Sequence, residues 1–147
     1  PSPSFGKPGG EWQEWFLGQR LAPLDRGLSP ADFAHELVPA MMSDNAPEAA
    51  IAAAMASMSA LSPDTYRATL HCLVTFNRRD KLGEITCPTL ALAGDKDEAA
   101  PAAMMEKMAT YIPDGRYHCL NNVGHLANLE DPEQFNRAIH TFLDAVA

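Results

Sequence analysis

Thr89-Leu90-Ala91-Leu92-Ala93-Gly94-Asp95-Lys96-Asp97 decides the fold when it is read beside Arg116-Tyr117-His118-Cys119-Leu120-Asn121-Asn122-Val123-Gly124-His125. Each begins with a short run suited to a strand and ends in turn residues, with a chemically capable side chain just beyond. The first run is nearly all apolar, as expected of a strand covered on both faces by helices. Between the two lies a helical pattern: Pro101 opens it, Met104, Met108 and Ile112 share a stripe, and Pro113-Asp114-Gly115 closes it. Strand, helix and strand in that order make a parallel pair with a right-handed crossover. Asp97 and His125 then leave the same carboxyl edge of one sheet, where open α/β folds bind ligands.

The unit continues with Asp131-Pro132-Glu133-Gln134, an Asp cap with Gln three residues on, which starts a final helix. Phe135, Ile139, Phe142, Leu143 and Val146 are its expected buried stripe. Upstream, residues 10–76 read as four helices without a strand. Trp12, Trp15 and Phe16 share a face of the first; Ser29-Pro30-Ala31-Asp32, Asn45-Ala46-Pro47-Glu48 and Ser62-Pro63-Asp64 start the others. The expected division is a helical cap over residues 1–78 and a strand-helix-strand-helix unit over 79–147. Pro1-Ser2-Pro3-Ser4 has neither helical nor strand period, and two parallel strands are too few for a stable sheet. The remaining strands are therefore expected upstream of Pro1.

Composition narrows the function. The 147 residues carry a formal charge of -8 and no basic patch, which argues against nucleic acid as a partner. No apolar stretch reaches the roughly 18 residues of a membrane span, so no membrane partner is expected. Cys72, Cys87 and Cys119 are far apart and include no C-x-x-C pair, a pattern that fits a reducing cytoplasm better than a disulfide framework or a zinc site. His35, His71, His118 and His140 have no partner at metal-ligand spacing, and no cofactor is implied. The Met-rich stretch around Met41-Met42, Met55 and Met58 reads as core that can also line an adaptable pocket.

Asp97 and His125 are the candidate catalytic residues. A carboxylate that accepts the Nδ1 proton of an imidazole fixes its tautomer and leaves Nε2 free to take a proton from a nucleophile. Taken singly, each residue also has an ordinary reading, Asp97 as a turn acid and His125 as a loop histidine. Asp95 competes with Asp97 but follows the strand directly, whereas the fourth position of Gly-x-x-Asp reaches further. Gly124 is expected to allow unusual torsions beside His125.

With these motifs in place, residues 80–147 resemble the C-terminal half of the α/β-hydrolase superfamily. The resemblance rests on Ile85-Thr86-Cys87-Pro88-Thr89-Leu90, Gly94-Asp95-Lys96-Asp97, Pro101, Ile112-Pro113, Gly124-His125 and Leu129-Glu130-Asp131-Pro132-Glu133-Gln134-Phe135-Asn136, in that order. It implies that Asp97 is the acid and His125 the base of a Ser-acid-His triad, with the helical cap over the site. The Ser on its G-x-S-x-G turn and the oxyanion hole are then expected upstream. Ser29 lacks the second glycine of that turn, and Ser57 and Ser59 fall inside a helix. Without a nucleophile, the chain by itself is expected to be inactive. Ser62-Pro63-Asp64-Thr65-Tyr66 and Arg79-Asp80-Lys81-Leu82 resemble the 3-oxoadipate enol-lactonase branch of small esterases, implying an ester or lactone substrate. A haloalkane dehalogenase, a C–C bond hydrolase, a perhydrolase and a silent small-ligand binder of the same fold remain alternatives. So does a helical module that docks a partner.

Overall fold

The computed structural model describes residues 10–147, so Pro1-Ser2-Pro3-Ser4 and the first nine positions of the expected helical unit lie outside the described residues. Helices α1 (Glu11–Asp25), α2 (Pro30–Leu37), α3 (Glu48–Ser59) and α4 (Pro63–Thr75) come first. Local chemistry sets their starts. The Asp32 carboxylate accepts from both the N–H and the hydroxyl of Ser29, at 2.7 and 2.6 Å, ahead of Pro30. Ser62 Oγ accepts the Thr65 N–H at 3.1 Å ahead of Pro63. Both arrangements satisfy donors that the first helical turn leaves unpaired. The α3 start differs from expectation: Pro47 is its N-cap residue, and Asn45 takes no part.

One apolar cluster joins the four helices, with Leu21, Phe33, Val38, Ala54, Met58 and Tyr66 among its buried members. Phe33 meets Tyr66 edge to face, with ring centroids 5.5 Å apart, a favoured aromatic geometry. Trp12 stacks on Phe16 at 5.1 Å, but Trp15 does not share that face and is 60% exposed. Three residues advance a helix by about 300°, enough to turn Trp15 off the packed stripe.

After a 3₁₀ turn at Arg79–Glu84 the chain enters β1 (Thr89–Gly94), crosses through α5 (Ala102–Ala109) and returns in β2 (Gly115–Leu120). The strands are parallel, with Thr89 opposite Gly115 and Gly94 opposite Leu120. A short helix α6 (Ala127–Glu130), which periodicity cannot detect in four residues, precedes α7 (Pro132–Asp144). Asp131 accepts the Gln134 N–H at 2.8 Å, and Gln134 exchanges two hydrogen bonds with the Asn121 backbone, fastening α7 to the loop after β2. Leu92, Leu120, Val123 and Ala127 pack with Phe135 and Ala138 beneath that junction. The expected α7 stripe is only half-buried, and Leu143 is 50% exposed.

The loops after the two strands lie in direct contact. Asp95 N–H donates to Leu120 O at 2.9 Å and Lys96 N–H to Val123 O at 3.0 Å, which prolongs the pairing beyond the strands. A Cβ on Gly94 would collide with the carbonyl oxygens of Val123 and Gly124. Gly94→Ala is therefore expected to destabilise the full-length polypeptide by about 1–3 kcal/mol in chemical denaturation, as other overpacked positions do. An unchanged midpoint would mean that the two loops do not approach this closely.

Candidate active site

The loop after β1 turns so that Asp97 faces back toward the loop after β2. Its N–H donates to Gly94 O at 3.2 Å, and its Oδ1 accepts the N–H groups of Ala99 and Ala100, both at 2.8 Å. Its Oδ2 lies 2.8 Å from His125 Nδ1. Both carboxylate oxygens are thus committed, and the residue is 9% exposed. Asp95, two residues earlier, is exposed and lies 3.5 Å from Lys96 Nζ. Of the two candidate acids, Asp97 meets the histidine.

His125 is held on the other side. Its N–H donates to Met41 O at 2.8 Å, and its side chain remains 39% exposed. Nδ1 faces a carboxylate, so the neutral ring carries its proton there, and Nε2 is left as the acceptor. No hydrogen bond to Nε2 is found among the described residues. The loop's left-handed residue is Asn122, at φ 58°, and not Gly124 as expected. Asn tolerates that region because its side chain can bond locally. Gly124 serves close approach: a Cβ there would lie 2.8 Å from both Met42 C and Ser43 N.

Sequence reasoning missed Glu130 as a member of this neighbourhood. Its Oε1 accepts the Gly124 N–H at 3.0 Å and its Oε2 accepts the Ser43 N–H at 2.9 Å. The available signal was an acid closing the mostly apolar stretch Leu126-Ala127-Asn128-Leu129. The serines considered as nucleophiles are occupied elsewhere: Ser29 begins α2, and the Ser57 hydroxyl donates to Ala53 O at 3.0 Å within α3. His35, His71, His118 and His140 are exposed and away from the pair. A polar cavity of about 410 Å³ separates the Pro39–Asn45 stretch from the Asp95–Glu98 loop. Asp97 lines it and His125 does not.

The pair sets its own protonation. Burial pushes the Asp97 carboxyl up, but the His125 hydrogen bond, the Ala100 N–H, the His125 charge and the Ala99 N–H together outweigh it and hold the group below its ordinary 3.8. The hydrogen bond to Asp97 lifts His125 above 6.5, with its charge adding to the effect and burial opposing it. The two groups contribute to stability with opposite dependence on pH. The Asp97 contribution to stability is present above 3.8 and disappears as pH falls through the lowered folded value; the His125 contribution is complete below 6.5 and disappears as pH rises through the raised value. If His125 acts as a base, kcat/KM of the full-length polypeptide should rise with pH through an apparent pKa above 6.5. A limb at or below that value would contradict the coupling.

Comparison with known proteins agrees with the fold. A profile of the alpha/beta hydrolase family matches residues 2–138, and the chain belongs to that family. It is 38% identical over 63 residues, 43% of this chain and 22% of the relative, to a 2-hydroxy-6-oxononadienedioate/2-hydroxy-6-oxononatrienedioate hydrolase of Cupriavidus pinatubonensis. A thermophilic esterase from Thermogutta terrifontis superimposes with a TM-score of 0.79 and 27% identity, over 95% of this chain and 53% of that one. The enol-lactonase from Burkholderia xenovorans LB400 superimposes with a TM-score of 0.81 over 97% of this chain and 53% of that one; at 20% identity it speaks for the fold alone. The chain spans about half the length of these solved structures. Among the described residues no helix is long and apolar enough to cross a membrane.

Proposed function

We propose that this chain supplies the acid and the base of a hydrolase for carboxylic esters or lactones of small molecules. Asp97 is the acid and His125 the base. The Ser nucleophile and oxyanion hole reside on polypeptide upstream, and residues 1–78 form the cap that shapes the substrate pocket. The observation that carries this reading is the 2.8 Å contact between Asp97 Oδ2 and His125 Nδ1, with the rest of the imidazole accessible. In that arrangement Nε2 takes the nucleophile's proton during attack and returns it to the leaving group. Asp97 holds the tautomer and stabilises the imidazolium that forms. No step asks for a metal or an organic cofactor.

The name of the Cupriavidus relative favours a second reading, in which the same pair serves a hydrolase of small oxo-dicarboxylates. A substrate panel on the full-length polypeptide separates the two: short-chain aryl esters and a simple lactone on one side, an unsaturated oxo-dicarboxylate on the other. Ester or lactone turnover exceeding that of the dicarboxylate supports the first reading. Turnover of the dicarboxylate alone supports the second, and turnover of none would sink both.

A further inference from the structure

Glu130 is a carboxylate only 7% exposed, with no cationic side chain in ion-pair contact among the described residues. Leaving a carboxylate buried is costly unless hydrogen bonds replace its water. Here the replacements are two backbone donors from opposite sides of a seam. Gly124 N–H comes from the loop that carries His125, and Ser43 N–H comes from the segment between α2 and α3, 87 residues away from Glu130 in sequence. A neutral amide in the same place would offer one oxygen and turn its NH₂ toward a donor. With one donor on each oxygen, the site suits a carboxylate.

Three further contacts run along that seam. His125 N–H donates to Met41 O at 2.8 Å, and Gly124 approaches Met42 and Ser43 too closely to admit a Cβ. Leu126, just before α6, and Leu129, within it, pack against the apolar cluster of the four helices. The backbone of the histidine loop is therefore fixed against the helical segment, while the ring is fixed at Nδ1 by Asp97. Glu130 is placed to move His125 without touching anything that His125 would touch.

We propose that Glu130 is a positioning residue: its carboxylate clamps the His125 loop to the Met41–Ser43 segment, so that the seating of the helical segment sets the aim of the imidazole. This rests on the hydrolase reading given above. A displacement of about 1 Å at a reacting group can cost 10²-fold in rate, so a loosened clamp registers in turnover before it registers in binding.

The test uses the full-length polypeptide with a short-chain aryl ester, well below the melting temperature of each variant. Glu130→Gln should lower kcat by about 10- to 100-fold with a much smaller change in KM. It should also broaden or abolish the low-field proton resonance of the His125–Asp97 hydrogen bond. Glu130→Asp keeps the charge but withdraws both oxygens by one methylene, and the same two effects are expected. Either variant folding with wild-type kcat and an intact resonance, even at a lower melting temperature, would reduce Glu130 to a structural residue and overturn the proposal. His125→Ala is the parallel control: if it retains turnover, the hydrolase reading itself fails, whereas an inactive His125→Ala beside fully active Glu130 variants removes only the positioning role.

Discussion

His125→Ala in the full-length polypeptide is expected to lower kcat for a short-chain aryl ester by about 10⁶-fold, the loss typical of removing the histidine of a hydrolytic triad. The fold should survive. The ring is 39% exposed, and the backbone contact that seats the residue, His125 N–H to Met41 O, does not involve the side chain. A far-ultraviolet circular dichroism spectrum and melting temperature close to wild type would separate lost chemistry from lost structure. Removing the imidazole also leaves Asp97 with its Oδ1 bonds to Ala99 and Ala100, so the turn after β1 stays in place. Turnover within an order of magnitude of wild type would exclude His125 as the base.

Asp97→Asn is expected to cost about 10⁴-fold in kcat, because an amide in place of the carboxylate no longer stabilises the imidazolium and can present its NH₂ to Nδ1, favouring the wrong tautomer. The two backbone donors from Ala99 and Ala100 can still bond to the amide oxygen, which preserves the turn. The pH profile adds a signature. Since the Asp97 hydrogen bond is the main cause that lifts His125, the acid limb of kcat/KM in the variant should move to lower pH than in wild type. Asp95→Asn, at an exposed carboxylate whose ion-pair contact is Lys96, should leave both kcat and the limb nearly unchanged. The opposite ranking of the two variants would assign the acid to Asp95.

Part of this architecture was legible because local rules act strongly there. The capped starts at Ser29, Ser62 and Asp131 combine an N-cap side chain with a proline at the first helical position, and each begins a helix as read. The two short strands were legible from an apolar run ending in turn residues, and their parallel pairing brings Asp97 to His125. What escaped depends on partners distant in sequence. Gly124 looked like a residue chosen for torsional freedom, yet it is demanded by the passage of Met42 and Ser43. Glu130 bridges to Ser43 across 87 residues, a relation no local period can carry. Trp15 and Leu143 fit apolar patterns but lie exposed, because a helical stripe states which residues can be buried and not how wide the covering surface is.

In the proposed function His125, held by Asp97, activates a nucleophile for acyl transfer. The most direct measurement is the rate of covalent labelling of the full-length polypeptide by a fluorophosphonate ester, followed by intact mass, in wild type and in His125→Ala. A single phosphonyl adduct should form readily in wild type and several orders of magnitude more slowly in the variant. Labelling of His125→Ala at the wild-type rate would contradict that role of His125.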